Sequence, residues 1–291
     1  MGRAQQVVDL AVDLARSRGF GLQVVHARVG DDEAQHAVEA DVARDVHSVA
    51  KGLCVLAVGV ACDEGRYDVD VPVLTYLPDV VPGPGVEAVT TRHLLGMTSG
   101  IDLPWSPTLF ADWPDVAHEM LSRPAPARAF QYSTASTYTA VRALAAVVGD
   151  VAAWVQDRLL DPLGIDPPAW ERCPQGYVVG AGGLPLRCAE TARLGRLVRD
   201  DGLWDGRRLV AARWPRAMHS GWWERPDAAP GYRRYALAGW DGPGPAWRLH
   251  GAHGQLVLFL GDTVVTVAAD DHAGADGWAA ELVARLGARA R

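Results

Sequence analysis

The stretch Asp45-Val46-His47-Ser48-Val49-Ala50-Lys51-Gly52 runs without a break into the apolar residues 53–61. Lys51 is the single lysine among 28 Lys plus Arg residues, asparagine is absent, and isoleucine occurs only at Ile101 and Ile165, a usage expected of a GC-rich genome. Arginine replaces lysine readily as a surface charge, but only lysine can give up its proton when desolvated. A sole lysine three residues after a serine is therefore read as a chemical group, with Ser48 as nucleophile and Lys51 as its base. Residues i and i+3 of a helix share a face, so the amine can reach the hydroxyl. A serine hydroxyl becomes a useful nucleophile only when a base takes its proton. A serine in a first helical turn also sets backbone N–H groups and the positive helix end beside a developing oxyanion. About one Ser-x-x-Lys arises by chance in a chain of this length, so the spacing gains its weight from the single lysine and the apolar helix behind it.

Outward from this stretch, residues 4–17 carry Val7, Val8, Leu10, Ala11 and Leu14 at helical spacing, and Gly19 closes the run. Residues 22–29 are rich in β-branched side chains, Gly30-Asp31-Asp32 is turn chemistry, and residues 37–40 are predicted to return as the second strand of a hairpin. Asp63-Glu64-Gly65 ends the Ser48 helix, and a Pro/Gly-rich loop spans residues 78–85. Helical patterns fill 91–97, 113–121, 136–148, 151–160 and 189–199; strand patterns return at 233–240, 247–250, 255–260 and 263–269, before a final helix over 277–286. This order predicts an α+β fold: an antiparallel sheet built from both chain ends, flanked by the terminal helices and carrying a helical insert. The expected lobes are residues 1–64 with 231–291 for the sheet and 65–230 for the helical part, with the active site in the cleft between them.

Composition narrows the function. A hydrophobic content of 49% with 22% charged residues is that of a globular protein. A net charge of −7 with dispersed arginines argues against nucleic acid and acidic membrane surfaces and favours a small-molecule substrate. Residues 1–18 lack the apolar core of a secretory signal, and the apolar run 53–62 is far short of the roughly 20 residues of a membrane span, so a cytoplasmic protein is expected. Cysteines 54, 62, 173 and 188 show no metal spacing and read as buried free thiols; no metal and no cofactor are expected. The oligomeric state is left open.

At this point the order of segments resembles a known family, the serine hydrolases of the class C β-lactamase, D-alanyl carboxypeptidase and esterase type. The resemblance is carried by His47-Ser48-Val49-Ala50-Lys51-Gly52, Asp63-Glu64-Gly65, Tyr76-Leu77-Pro78, the segment from Thr90-Thr91-Arg92-His93 to Thr98-Ser99-Gly100, Gln131-Tyr132-Ser133-Thr134, Pro162-Leu163-Gly164, Ala181-Gly182-Gly183-Leu184, Asp201-Gly202-Leu203-Trp204-Asp205-Gly206 and Gly251-Ala252-His253-Gly254-Gln255, over roughly residues 22–270. It implies a β-lactamase/penicillin-binding-protein-like fold, with Ser48 acylated, Lys51 as general base and Tyr132 passing the proton to the leaving group. Ala252-His253-Gly254 aligns with the family's strand-edge Lys-Thr-Gly, which makes the Gln255 N–H the partner of the Ser48 N–H in the oxyanion hole; a shift to His250-Gly251-Ala252 is the alternative alignment.

Two departures bear on the substrate. Thr134 stands where the family's Tyr-x-Asn carries an amide, and Ala252 stands where its strand carries a cation that holds a substrate carboxylate. Thr134, Ala252, His253 and Gly254, with Trp105 and Trp240 as aromatic walls, are the expected substrate contacts, and a neutral ester or amide is the expected substrate. His-Gly-Gln endings resemble those of esterases and aminohexanoate-oligomer amidases. The alternatives are an acyltransferase or peptide cyclase of natural-product assembly, a β-lactamase or D-Ala carboxypeptidase, and a catalytically silent binding protein on the same fold.

Overall fold

The structure, a computed structural model, describes residues 1–103, 112–113 and 115–289. In chain order its elements begin with helix α1 (Arg3–Arg18), strands β1 (Leu22–Val29), β2 (Asp32–Ala37) and β3 (Arg44–Asp45), and helix α2 (Ala50–Asp63). Helices α3 (Thr91–Leu95), α4 (Val116–Ser122), α5 (Thr134–Val148) and α6 (Val151–Val155) follow, the last continuing as a π-helical turn over Gln156–Leu160. Then come β4 (Pro185–Leu186), α7 (Cys188–Arg199), β5 (Leu203–Trp204), β6 (Arg207–Arg208), α8 (Arg213–Ala217), β7 (Trp223–Glu224), β8 (Arg234–Tyr235), β9 (Trp240–Asp241), β10 (Trp247–His250), β11 (Leu256–Leu260), β12 (Thr263–Ala269) and α9 (Ala275–Arg289).

Eight strands form one antiparallel sheet in the order β2-β1-β12-β11-β10-β9-β8-β7. The hairpin predicted at the start of the chain is present, but its second strand begins earlier than residue 37. Gly30 at φ 61 makes the turn after Val29, and Val29 pairs directly with Asp32. The returning strand DEAQHA was hard to read because it is the sheet edge, where polar side chains keep another chain from pairing. The predicted strand over 233–240 is two short strands around a turn at Ala238, φ 64, and β7 had no legible pattern in two residues.

Both faces of the sheet are covered. On one side α1 and α9 pack together: Trp278 is fully buried, donates from Nε1 to the Ala11 carbonyl at 3.2 Å, and stacks on Phe20 with centroids 5.1 Å apart. On the other side α7 lies close because Gly195 has no side chain; a Cβ there would stand 3.0 Å from Val257 and 3.1 Å from Val264. The larger apolar cluster is centred on α2, every residue of which from Ala50 to Ala61 is buried. A helix that is apolar all round belongs in the middle of a core. No single described helix is long and apolar enough to cross a membrane.

At Gly59 a Cβ would lie 2.5 Å from Trp214 Cγ, and that indole is fixed by a 3.1 Å bond from Nε1 to Asp63 Oδ1. Gly59→Ala is expected to cost about 1–3 kcal/mol through this overlap. Thermal denaturation checks it: an unchanged Tm would mean that α2 and α8 are not packed as described.

Candidate active site

The chain reaches α2 through β3 and a 3-10 turn over His47–Val49, so Ser48 is presented by a tight turn and the α-helix proper starts two residues later. Ser48 and Lys51 still share a face: Lys51 Nζ donates to Ser48 Oγ at 2.8 Å. The lysine is 2% exposed, and its second acceptor is the Ala181 carbonyl at 2.9 Å. One turn further on, Cys54 Sγ donates to the neighbouring Gly180 carbonyl at 3.1 Å. Burial pushes the Cys54 thiol up to about 12, with Lys51 pulling weakly the other way, which leaves it an inert packing group. The described cysteines are all free.

Tyr132 stands across from this pair. Lys51 Nζ lies 5.0 Å from its ring centroid. The tyrosine is placed by its neighbours: the Gln131 N–H donates to the Met97 carbonyl at 2.8 Å, while Ser133 caps α5 through Ala135 N–H and donates its own hydroxyl to the Leu103 carbonyl at 2.6 Å. Thr134 opens α5, beside Tyr132 but with no amide to offer. Trp240 is 5% exposed and packs against Tyr132, Tyr235, Tyr232 and Phe130. It backs Tyr132 and is not the open aromatic wall expected of it. The Tyr235 hydroxyl is pushed well up by burial and then by the neighbouring Tyr132. Trp105 lies outside the described residues.

At the strand edge the Gln255 N–H, expected in the oxyanion hole, already has a backbone partner. Residues Ala252–Gly254 are a tight turn after β10, with His253 at φ 57, and the Gln255 N–H closes that turn on the Ala252 carbonyl at 3.2 Å. The Gln255 side chain is tied to the Ala269 carbonyl at 2.7 Å. Gln255 is thus engaged on both counts. Gly251, by contrast, sits against the Ser48 turn: a Cβ there would be 2.4 Å from the Val46 carbonyl and 3.2 Å from His47 Cβ. Among the described residues no acceptor faces the Ala252 N–H, the next donor along. His253 is largely exposed, pairs with Asp270 at 3.2 Å and stacks on His47 at 5.1 Å between centroids.

Alternation along β10 turns Arg248 and His250 to the face opposite Leu249. Leu249 points at α2, where its Cδ1 would meet a Cβ on Gly52 at 2.8 Å. Arg248 is 1% exposed and donates to the Gly242 carbonyl at 2.8 Å and Asp276 at 3.3 Å; the Tyr232 hydroxyl lies 3.0 Å from His250 Nδ1 and donates to Asp276 at 2.8 Å. Ser48, Lys51 and Tyr132 do not line the recess of about 480 Å³ between His26, Arg193 and Trp204. Among the described residues no cluster of His, Cys, Asp and Glu is arranged to hold a metal.

The sequence reading missed Asp45, which binds the Ser48 turn, and the Ala181 carbonyl, which binds the lysine. Both lie in segments quoted for other reasons. A backbone acceptor leaves no side-chain signature, whereas an acid three residues before the serine was visible.

Comparison with known proteins adds a family. The family model described as Beta-lactamase matches residues 4–270. The 6-aminohexanoate-dimer hydrolase of Paenarthrobacter ureafaciens is 27% identical over 205 residues, 60% of this chain and 50% of that protein, so the chain spans about half the length of this curated relative. Among solved structures, a putative 6-aminohexanoate-dimer hydrolase from Bacillus anthracis aligns with TM-score 0.76 at 15% identity, covering 96% of this chain and 81% of the other. A penicillin-binding protein homolog from Caulobacter crescentus aligns with TM-score 0.77 at 15% identity, covering 97% and 96%. At such identities the two structures speak to the fold alone.

Burial, then Arg248, push the His250 imidazole down to about 4, with Asp276 opposing and His272 adding to the shift. An unfolded histidine titrates at about 6.5, so between these values the unfolded chain binds the extra proton. The stability from keeping His250 neutral is therefore complete above about pH 6.5 and is lost as pH falls toward 4. Tm measured across that range should fall, and His250→Gln should flatten the slope; an equally steep fall in the variant would show that other groups carry it.

Proposed function

We propose that this chain, which belongs to the Beta-lactamase family, is a serine hydrolase that cleaves a small amide or ester through an acyl-Ser48 intermediate. The observation that carries the reading is the 2.8 Å contact between Ser48 Oγ and the buried amine of Lys51. In its neutral form the amine takes the Oγ proton as the oxygen attacks the substrate carbonyl. The Ser48 and Ala252 N–H groups receive the oxyanion, two convergent donors being what acyl transfer requires. Tyr132, against the lysine, passes the proton to the leaving amine or alcohol as the carbonyl–heteroatom bond breaks. Water then adds to the acyl carbonyl and the same groups return the Ser48 hydroxyl.

The strand edge supports a substrate without a carboxylate at the reacting end. Leu249 faces α2, and His250, the candidate cation of the shifted alignment, is buried against Tyr232 and Asp276. The curated relative's name, a hydrolase of 6-aminohexanoate dimer, favours a small amide.

A fluorophosphonate should label the wild type at Ser48, with labelling abolished in Ser48→Ala and in Lys51→Ala. Intact-mass measurement reads the adduct, and wild type that resists a range of such probes would overturn the acyl-enzyme reading. Gly251 at φ −104, ψ 161 permits a following proline, and residue 252 opens a turn. Ala252→Pro removes the N–H with little other change and is expected to slow acylation by about 10²–10³-fold. An unchanged rate would return the oxyanion role to another donor.

A further inference from the structure

We infer that Asp45 is a positioning residue for acylation: its carboxylate staples the turn that presents Ser48 to the loop whose carbonyl holds the Lys51 amine. The inference rests on the acyl-Ser48 reading.

An ionised carboxylate is acceptor-only, so donors from several segments can converge on it. Asp45 Oδ1 accepts from the His47 N–H at 2.8 Å and from the Leu184 N–H at 3.1 Å. Oδ2 lies 3.1 Å from His47 Nδ1. The Val46 N–H returns a bond to the Leu184 carbonyl at 3.0 Å, and Asp45 pairs with Pro185 in the β3–β4 ladder. Leu184 is three residues from Ala181, the acceptor of Lys51 Nζ. One side chain thereby joins the backbone on both sides of the Ser48–Lys51 contact.

The turn needs such a clamp. His47 sits at φ 49, a left-handed conformation that a side chain with a Cβ seldom adopts unless its surroundings hold it. Gly182 lies directly over it, since a Cβ there would be 3.6 Å from His47 Cα and 3.8 Å from Asp45 Oδ2. The same imidazole stacks on His253, in the turn that follows the Ala252 N–H. Burial pushes the Asp45 carboxyl up, but the side-chain and backbone bonds from His47 and its nearby charge outweigh that and hold the group below the usual carboxylate value, so it stays ionised at neutral pH.

The test is fluorophosphonate labelling of Ser48 with the maximal rate and the probe affinity resolved separately, and Tm measured alongside. Asp45→Leu, close in shape and without an acceptor, should lower the maximal rate by about 100-fold, the scale of an ångström-level misplacement, with probe affinity within about threefold. Asp45→Asn keeps Oδ1 for the two amides and loses only the imidazole contact, so it should recover to within about tenfold of wild type. Should the leucine variant not fold, Asp45→Glu moves the acceptor by one methylene and should still slow the maximal rate by about tenfold at near-native Tm. A folded Leu or Glu variant that labels at the wild-type maximal rate, or one whose loss lies wholly in probe affinity, overturns the positioning role. Wild-type protein that is never labelled removes the acyl-Ser48 reading, and this inference with it.

Discussion

A lysine amine at 2% exposure in an apolar core must be satisfied by the chain itself, and much of the local architecture follows from that need. Leaving such a group unpaired costs several kcal/mol, more than most single packing contacts supply. One acceptor is Ser48 Oγ, already on the same face of the turn and helix. The other must come from a distant segment, and it comes as the Ala181 carbonyl. The backbone reaches that depth only because its flanks are glycine. Gly180 and Gly183 stand at φ 69 and 65; a Cβ on the first would lie 2.9 Å from Val141 Cγ2, and one on the second 2.2 Å from Glu171 Cβ. The glycine-rich run after Val179 is therefore the price of a buried amine.

The same constraint shapes the opposite wall. Tyr132 has to lie flat enough for its ring to face the amine, and it is supported from behind by Tyr235 and Trp240, with Phe130 edge-on to both. Its backbone is set by Met97, which takes φ 58 so that its carbonyl meets Gln131 N–H and its sulfur faces Ser133 N–H. The segment ending Met97-Thr98-Ser99-Gly100 thus acts on Tyr132 through the backbone. Gly100, φ 75, lets that segment pass close to the Ala127 carbonyl, where a Cβ would lie at 1.9 Å.

What was legible in the sequence was whatever repeats. The apolar period of α1, the β-branched run of β1 and the unbroken apolar face of α2 each bury many side chains in a regular pattern, and each was readable with its type and approximate ends. The family resemblance carried the fold further than periodicity could, because it rests on the order of segments. Legibility failed where one hydrogen bond decides the geometry. Ala252-His253-Gly254 resembles a strand-edge motif, but nothing in its pattern shows that His253 takes φ 57 and that the Gln255 N–H closes a turn there. Trp240 reads as an exposed wall because tryptophan near a cleft often is one, but four other aromatic rings surround it. The two-residue strands β7, β8 and β9 belong to the sheet by pairing alone, with too few residues to show alternation.

The charge pattern of β10 separates this site from one built to grip an anion. The strand does carry a cation, Arg248, but alternation puts it on the face away from α2, where Gly242, Asp276 and the Tyr232 ring absorb its charge. Shifting that arginine by one position would bring it to the face where Leu249 now packs on Gly52, against the buried amine's own helix. Two cations would then share a low-dielectric space, and each would penalise the charged state of the other. With leucine at position 249 that face packs on Gly52 instead, and the Lys51 amine is met by Ser48 Oγ and the Ala181 carbonyl. Within the proposed reaction, the loss of carboxylate capture thus follows from which face of a four-residue strand carries the arginine.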